Sequence, residues 1–98
     1  MLIQFKDGRN YDIRFNYNKR EDLGGIIDTK CQVSDILYDS VEDKNTYKLL
    51  WEGLALQSPK DNHCKAKARK VSLANAIAPL AKDDRTEIWN QYRQQVKK

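Results

Sequence analysis

Several features that would mark a particular class of protein are scarce in this sequence. It has two cysteines, Cys31 and Cys64, which are too few for a disulfide framework. No apolar run approaches the ~20 residues that a membrane-spanning helix needs. The first residues, MLIQFKDGRN, lack the basic region and apolar stretch of a signal peptide. We therefore expect a soluble cytoplasmic protein with reduced thiols and no membrane partner.

Groups suited to catalysis or metal binding are also scarce. The single histidine, His63, adjoins Cys64, but helical neighbours point about 100° apart and cannot form a nucleophile–base pair. One histidine and two cysteines in this order match no zinc spacing. Gly24-Gly25 is a bare doublet, not a phosphate-binding loop. We expect no enzyme, no metal and no cofactor; the alternative is an enzyme that depends on Cys64 or His63.

What the chain does contain is an uneven distribution of charge. Its 98 residues, 40% apolar and 33% charged, suit a single globular domain over 1–98. Residues 1–59 carry eight Lys/Arg against ten Asp/Glu, a balance of −2, whereas residues 60–98 carry ten against four, a balance of +6. This second part predicts an anionic partner. The alternative is a lysine-rich helix that is merely solvated.

Alternating residues predict β-strands over residues 1–57. Leu2 to Phe5 and Tyr11 to Tyr17 form a hairpin, and an odd loop centred on Gly8 would place Phe5 opposite Tyr11 and Ile3 opposite Ile13. Alternation resumes from Ile27, with Ser34-Asp35 as a bulge site. The stretch YKLLWEGLALQ is a last strand, with Tyr47, Leu49 and Trp51 on one face. The prediction is an antiparallel meander of three or four strands.

Residues 58–98 predict a basic pair of helices, which makes the fold class α+β. Ser58-Pro59-Lys60-Asp61 is typical of a helix start. We expect this helix to run to about Ile77 or slightly further, with Pro79 ending or kinking it. A second helix begins at Asp83 or Asp84, where Asp84 and Glu87 have the spacing of a capping box. The apolar stripe of this second helix consists of Ile88, Trp89, Tyr92 and Val96.

The first of these helices begins with a cluster of cations. Leu73, Ile77 and Leu80 anchor its second half, so we expect its first half to project from the core. The candidate binding residues, which would contact phosphates or carboxylates, are Lys60, Lys65, Lys67, Arg69 and Lys70. The alternative is that these side chains cover apolar surface with their stems and keep their charged groups in water.

Two other ways of binding nucleic acid are less favoured. A helix-turn-helix would place the start of the second helix in the major groove, but that start is Asp83-Asp84, which phosphates repel. Tyr11, Phe15 and Tyr17 could stack on single-stranded bases, but aromatic residues on one sheet face more often form a core.

The pattern S-P-K-D-x-x-x-K-x-x-x-R-K-V-x-L-x-x-A-I follows Gly53-Leu54-Ala55, and Arg85, Trp89 and Tyr92 come later. These features resemble a loose group of small phage and prophage accessory proteins over the second half of the chain. The sequence departs from that pattern at Gln57, where a cysteine is expected, and at Ala68, where glycine is common.

This resemblance implies a non-enzymatic inhibitor of a bacterial host-defence system, of the anti-CRISPR type, acting in the host cytoplasm. Such proteins cover a surface that is meant for nucleic acid, so the implied partner is a host protein or nucleoprotein complex. The alternative function is direct binding of DNA or RNA. A homodimer formed through Trp51 or Trp89 is a further option.

Overall fold

The computed structural model describes residues 1–56 and 65–96. It consists of a four-stranded antiparallel sheet in the order β1-β2-β3-β4, followed by two helices. The elements are β1 Leu2–Gln4, β2 Asn10–Arg20, β3 Ile26–Asp39, β4 Lys44–Leu56, α1 Lys65–Ile77 and α2 Lys82–Val96. The predicted α+β meander with two C-terminal helices is confirmed. The predicted helix start at residues 58–61, with Lys60, lies outside the described residues.

The β1–β2 hairpin differs from its predicted register by two residues. Ile3 pairs with Tyr11, not with Ile13. The turn is tighter than expected, because the Phe5 N–H donates to the Arg9 carbonyl at 2.9 Å and the Gly8 N–H donates to the Phe5 carbonyl at 3.1 Å. A shift of two residues keeps every side chain on its face, so the predicted inward residues remain inward.

The helices cover one face of the sheet, and the core lies between the helices and that face. The sheet supplies buried aromatic and aliphatic side chains, among them Ile3, Tyr11, Ile13 and Val33, and the helices supply Leu73, Ile77, Ile88 and Tyr92. Phe15 packs against this core, which confirms a core role for it and for Tyr11, whereas Tyr17 is 39% exposed. Trp51 and Trp89 also pack partly against the core, and both are half-buried.

A β-bulge in β4 changes which residues of this strand lie on each face of the sheet. Val33 pairs with Trp51, but the next residue of β3, Ser34, pairs with Leu49, so Leu50 is an inserted residue. The bulge lies beside the predicted Ser34-Asp35 position, but the extra residue is on the partner strand. Tyr47 and Leu49 therefore lie on the face opposite Trp51, and the prediction that these three share a face was wrong.

The β3–β4 hairpin extends beyond the rest of the sheet. Pairing of β2 with β3 stops at Tyr11 opposite Asp35, whereas β3 and β4 remain paired as far as Asp39 opposite Lys44. We call residues 36–47 the distal ribbon. Several of its apolar side chains are exposed, because neither helix covers this two-stranded segment.

Each helix lies close to one edge of the sheet. Gly53 of β4 touches the α1 backbone, since a Cβ at this position would overlap the Ser72 carbonyl and the Ala76 nitrogen. The Asn75 side-chain amide donates to the Leu54 carbonyl at 2.7 Å. At the other edge, Gln95 of α2 donates to the Leu2 carbonyl at 2.7 Å. Within the described residues there is no helix with the length and apolar character to cross a membrane.

The second helix starts at Lys82, one or two residues earlier than predicted. Asp84 was expected to cap this helix, but its side chain contacts Arg9 instead. Both Asp84 oxygens accept from the Arg9 guanidinium, at 2.8 and 3.0 Å. The first helix ends at Ile77, two residues before Pro79, as predicted.

Candidate binding surface on the helices

Four of the five predicted binding residues lie in the first turns of α1. Lys65, Lys67 and Lys70 are exposed, whereas Arg69 is half-buried. Lys60, the fifth, falls outside the described part of the chain. The structure thus brings the described lysines together on one short helical segment, as the sequence indicated, but it separates Arg69 from them.

The cations of the helices form no ion pair with any carboxylate of residues 1–56 and 65–96. In residues 1–56 and 65–96, every side-chain ion pair takes its cation from the sheet or its loops, and none takes it from a helix. The helical cations in the described residues are Lys65, Lys67, Arg69, Lys70, Lys82, Arg85 and Arg93. Because α1 itself contains no acidic residue, its positive potential is uncompensated within the helix.

Lys65 sits above an aromatic ring at the edge of the sheet. Its Nζ lies 5.2 Å from the centroid of the Tyr17 ring. A cation over the face of an exposed ring gains about 0.5–1 kcal/mol. This contact holds the Lys65 stem near the surface and leaves the ammonium group accessible.

Arg69 points towards the core. Its position follows from helical spacing, because Ser72, Leu73 and Ala76, which lie three, four and seven residues later, are all buried on that face. Arg69 Nε is buried without a hydrogen-bond partner in the described part of the chain. Burial raises the pKa of Tyr92, and the positive charge of the nearby Arg69 guanidinium acts in the opposite direction. Arg69 therefore links α1 to α2 more than it extends the exposed surface.

A groove between the two helices extends the positive region. It has a volume of about 570 Å³ and is lined by Lys70, Trp89, Tyr92, Arg93 and Val96. Lys70 and Arg93 are exposed, and Trp89 packs edge-to-face on Tyr92 with ring centroids 5.6 Å apart. Arg93 and Trp89 were not predicted to lie on this surface, because their proximity to Lys70 depends on how α1 and α2 pack. We call Lys65, Lys67, Lys70 and Arg93 the basic surface.

The basic surface combines cations with an aromatic groove. The described residues contain no group of three or more His, Cys, Asp or Glu side chains placed to hold a metal ion. Lysine and arginine side chains around an aromatic groove suit phosphates or carboxylates. Comparison of the chain with known protein families, with curated proteins and with solved structures gives no match.

Proposed function

We propose that this chain is a small non-catalytic binding protein that attaches to an anionic macromolecular surface through its basic surface. The observation that supports this most strongly is the lack of any carboxylate partner for Lys65, Lys67, Lys70 or Arg93 among the described residues. Within residues 1–56 and 65–96, most cations of the sheet and its loops form ion pairs, so the cations without an ion pair are concentrated on the helices.

The resemblance to phage accessory proteins suggests the kind of target. We propose a nucleic-acid-processing host-defence complex of bacteria, of the CRISPR–Cas type, in the host cytoplasm. A basic surface can attach to an acidic protein surface near a nucleic-acid channel or to the nucleic acid bound in that channel. Either mode of binding obstructs the channel without catalysing a reaction.

The test compares two triple variants of equal net charge. One replaces exposed lysines of the basic surface, K65Q/K67Q/K70Q, and leaves the half-buried Arg69 in place. The control, K6Q/K44Q/K48Q, replaces three exposed lysines of the sheet and its loops. Each protein is added to purified CRISPR effector complexes of several types, and cleavage of target DNA is measured.

We expect wild type and the control to inhibit at least one effector type, and the K65Q/K67Q/K70Q variant to require at least about tenfold more protein, equivalent to 1.4 kcal/mol. Equal inhibition by both triple variants would remove the basic surface from the mechanism. If wild type inhibits none of the effectors, the proposed target class is wrong.

The groove supports a second function, direct binding of DNA or RNA. Lys70 and Arg93 line this groove together with Trp89. Grooves that combine cations with aromatic rings bind single-stranded nucleic acids. A fluorescent single-stranded oligonucleotide is titrated at two salt concentrations. If three phosphates are neutralised, affinity for a single strand should fall about 20-fold between 50 and 200 mM salt. Absence of binding at 50 mM salt would exclude this function.

A further inference from the structure

The face of the sheet opposite the helices, which we call the open face, carries a group of exposed apolar side chains. Strand alternation and the Leu50 bulge place them on the same side of the sheet. They are Leu2, Tyr38, Tyr47, Leu49, Leu54 and Leu56, each between 45% and 64% exposed. Large apolar groups concentrated on one sheet face are typical of an interaction surface.

The charged residues of the open face neutralise one another. Three ion pairs lie on it: Arg14 with Asp12 at 2.6 Å, Arg20 with Asp28 at 3.1 Å, and Lys30 with Glu52 at 3.6 Å. The Arg14 guanidinium also lies 5.0 Å from the centroid of the Tyr47 ring. These pairs leave the centre of the open face without net charge.

The pairing of charges on the open face determines which kind of partner can bind there without repulsion. A second copy of the chain would be repelled at the helices, where like charges are unpaired, but not at the open face, where charges are paired within each copy. A strongly basic or acidic partner would gain nothing there from charge. The open face is therefore compatible with a copy of itself.

The apolar residues lie at both ends of β4, which suits a two-fold axis. Leu54 and Leu56 are near its C-terminal end, and Tyr47 and Leu49 are towards its start, next to Tyr38 of β3. A two-fold axis that lies between the two open faces, parallel to them and perpendicular to β4 at its middle, would set each apolar end against the other end in the second copy. A strip about 40 Å long and three strands, about 15 Å, wide gives roughly 600 Å² per copy, at the lower limit for a specific dimer.

Pairing through the sheet edges is less suited to a second copy. The Asn75 side chain donates a hydrogen bond to the Leu54 carbonyl at one edge. At the other edge, Gln91 and Gln95 donate hydrogen bonds to backbone carbonyls of β1. These side chains would have to move before another strand could pair at Leu54 of β4 or along β1.

We propose that two copies of this chain pack through their open faces about a two-fold axis, with the distal ribbon of each copy over the C-terminal end of β4 in the other. The helices then lie on the two outer sides of the dimer, so that each dimer presents two basic surfaces.

A matched pair of variants tests this arrangement. Leu49 and Leu37 are 46% and 47% exposed, but they lie on opposite faces of the β3–β4 hairpin. Light scattering coupled to size exclusion should give twice the monomer mass for wild type at 100 μM. The L49E variant should dissociate at least about tenfold more readily, whereas L37E should remain dimeric. Circular dichroism verifies that both variants are folded.

A cross-link tests the geometry independently of dimer stability. Both proteins carry Cys64→Ser; one adds Leu54→Cys and the other Tyr47→Cys. After mixing and mild oxidation, the mixed disulfide dimer should exceed either like-with-like dimer. A monomer at 100 μM, a dimer unaffected by L49E, or no preference for the mixed disulfide would each overturn the proposed arrangement.

Discussion

Gln91 of α2 and Gln4 of β1 exchange two hydrogen bonds. The Gln4 N–H donates to Gln91 Oε1 at 2.9 Å, and Gln91 Nε2 donates to the Gln4 carbonyl at 2.6 Å. A side-chain amide thus occupies the backbone groups that a neighbouring strand would use. Gln95 acts similarly on Leu2, so α2 both covers the core and closes the β1 edge.

Replacing Gln91 with Ala should lower the free energy of unfolding by about 1 kcal/mol, because water can partly replace these exposed bonds. Urea denaturation measures the change. Gln94→Ala, at an exposed glutamine of the same helix, serves as the control for lost side-chain contacts. Equal effects of the two substitutions would show that the bonds to β1 add no stability.

Gly53→Ala should destabilise the protein by about 3 kcal/mol or more, because the new methyl group would overlap the α1 backbone, which can move only with the helix. Thermal unfolding measures the loss. Gly24→Ala is the comparison: its φ of 79° disfavours alanine, but open space surrounds it, so about 1 kcal/mol is expected. A Gly53→Ala variant as stable as Gly24→Ala would contradict the close contact between β4 and α1.

The contact between Arg9 and Asp84 should make stability depend on pH. The hydrogen bond from Arg9 holds the pKa of Asp84 below its ordinary value. A carboxyl group whose pKa is lowered on folding stabilises the protein above its unfolded pKa of about 4, and this stabilisation is lost as the pH falls through the lower folded value.

Asp84→Asn should therefore reduce stability at pH 7 relative to wild type, and the difference should narrow below about pH 4. Urea unfolding of both proteins at a series of pH values measures this. Asp83→Asn, at the exposed neighbouring carboxylate, is the control. A difference between wild type and Asp84→Asn that stays constant from pH 7 to pH 3 would count against the ion pair.

Cys31 should be unreactive in the folded protein. It is 0% exposed, and burial raises the pKa of its thiol to about 12. In a Cys64→Ser variant, a thiol reagent at pH 8 should label Cys31 at least about 100-fold more slowly than in urea, because only opened molecules expose the thiolate. Labelling at the same rate with and without urea would contradict this burial.

Local patterns predicted the elements of the fold better than the contacts between them. Alternation and helix-end signals gave the strands, the helices and the end of α1 before Pro79. The β1–β2 register was wrong by two residues, since both registers keep the same faces inward and only the turn distinguishes them. Asp84 matched a capping motif, but its actual partner, Arg9, is distant in the sequence.

In the candidate site too, local features were predictable from the sequence and contacts between elements were not. The density of lysines before residue 70 was visible in the sequence, and the exposed positions of Lys65, Lys67 and Lys70 agree with it. The inward position of Arg69 could have been found, because it shares a helical face with Leu73 and Ala76. The proximity of Arg93 to Lys70 could not, since it depends on the angle between the helices.

The inserted residue Leu50 changes which alternate residues of β4 lie on each face of the sheet. Because one residue is inserted, Tyr47 and Leu49 have the same odd–even position as Trp51 in the sequence but lie on the opposite face of the sheet. Deleting Leu50 would make Leu49 and Trp51 neighbours in a regular strand, so Leu49 would keep its pairing with Ser34 and its place on the face opposite Trp51. A single lost codon would thus remove the bulge while leaving the exterior of the distal ribbon unchanged.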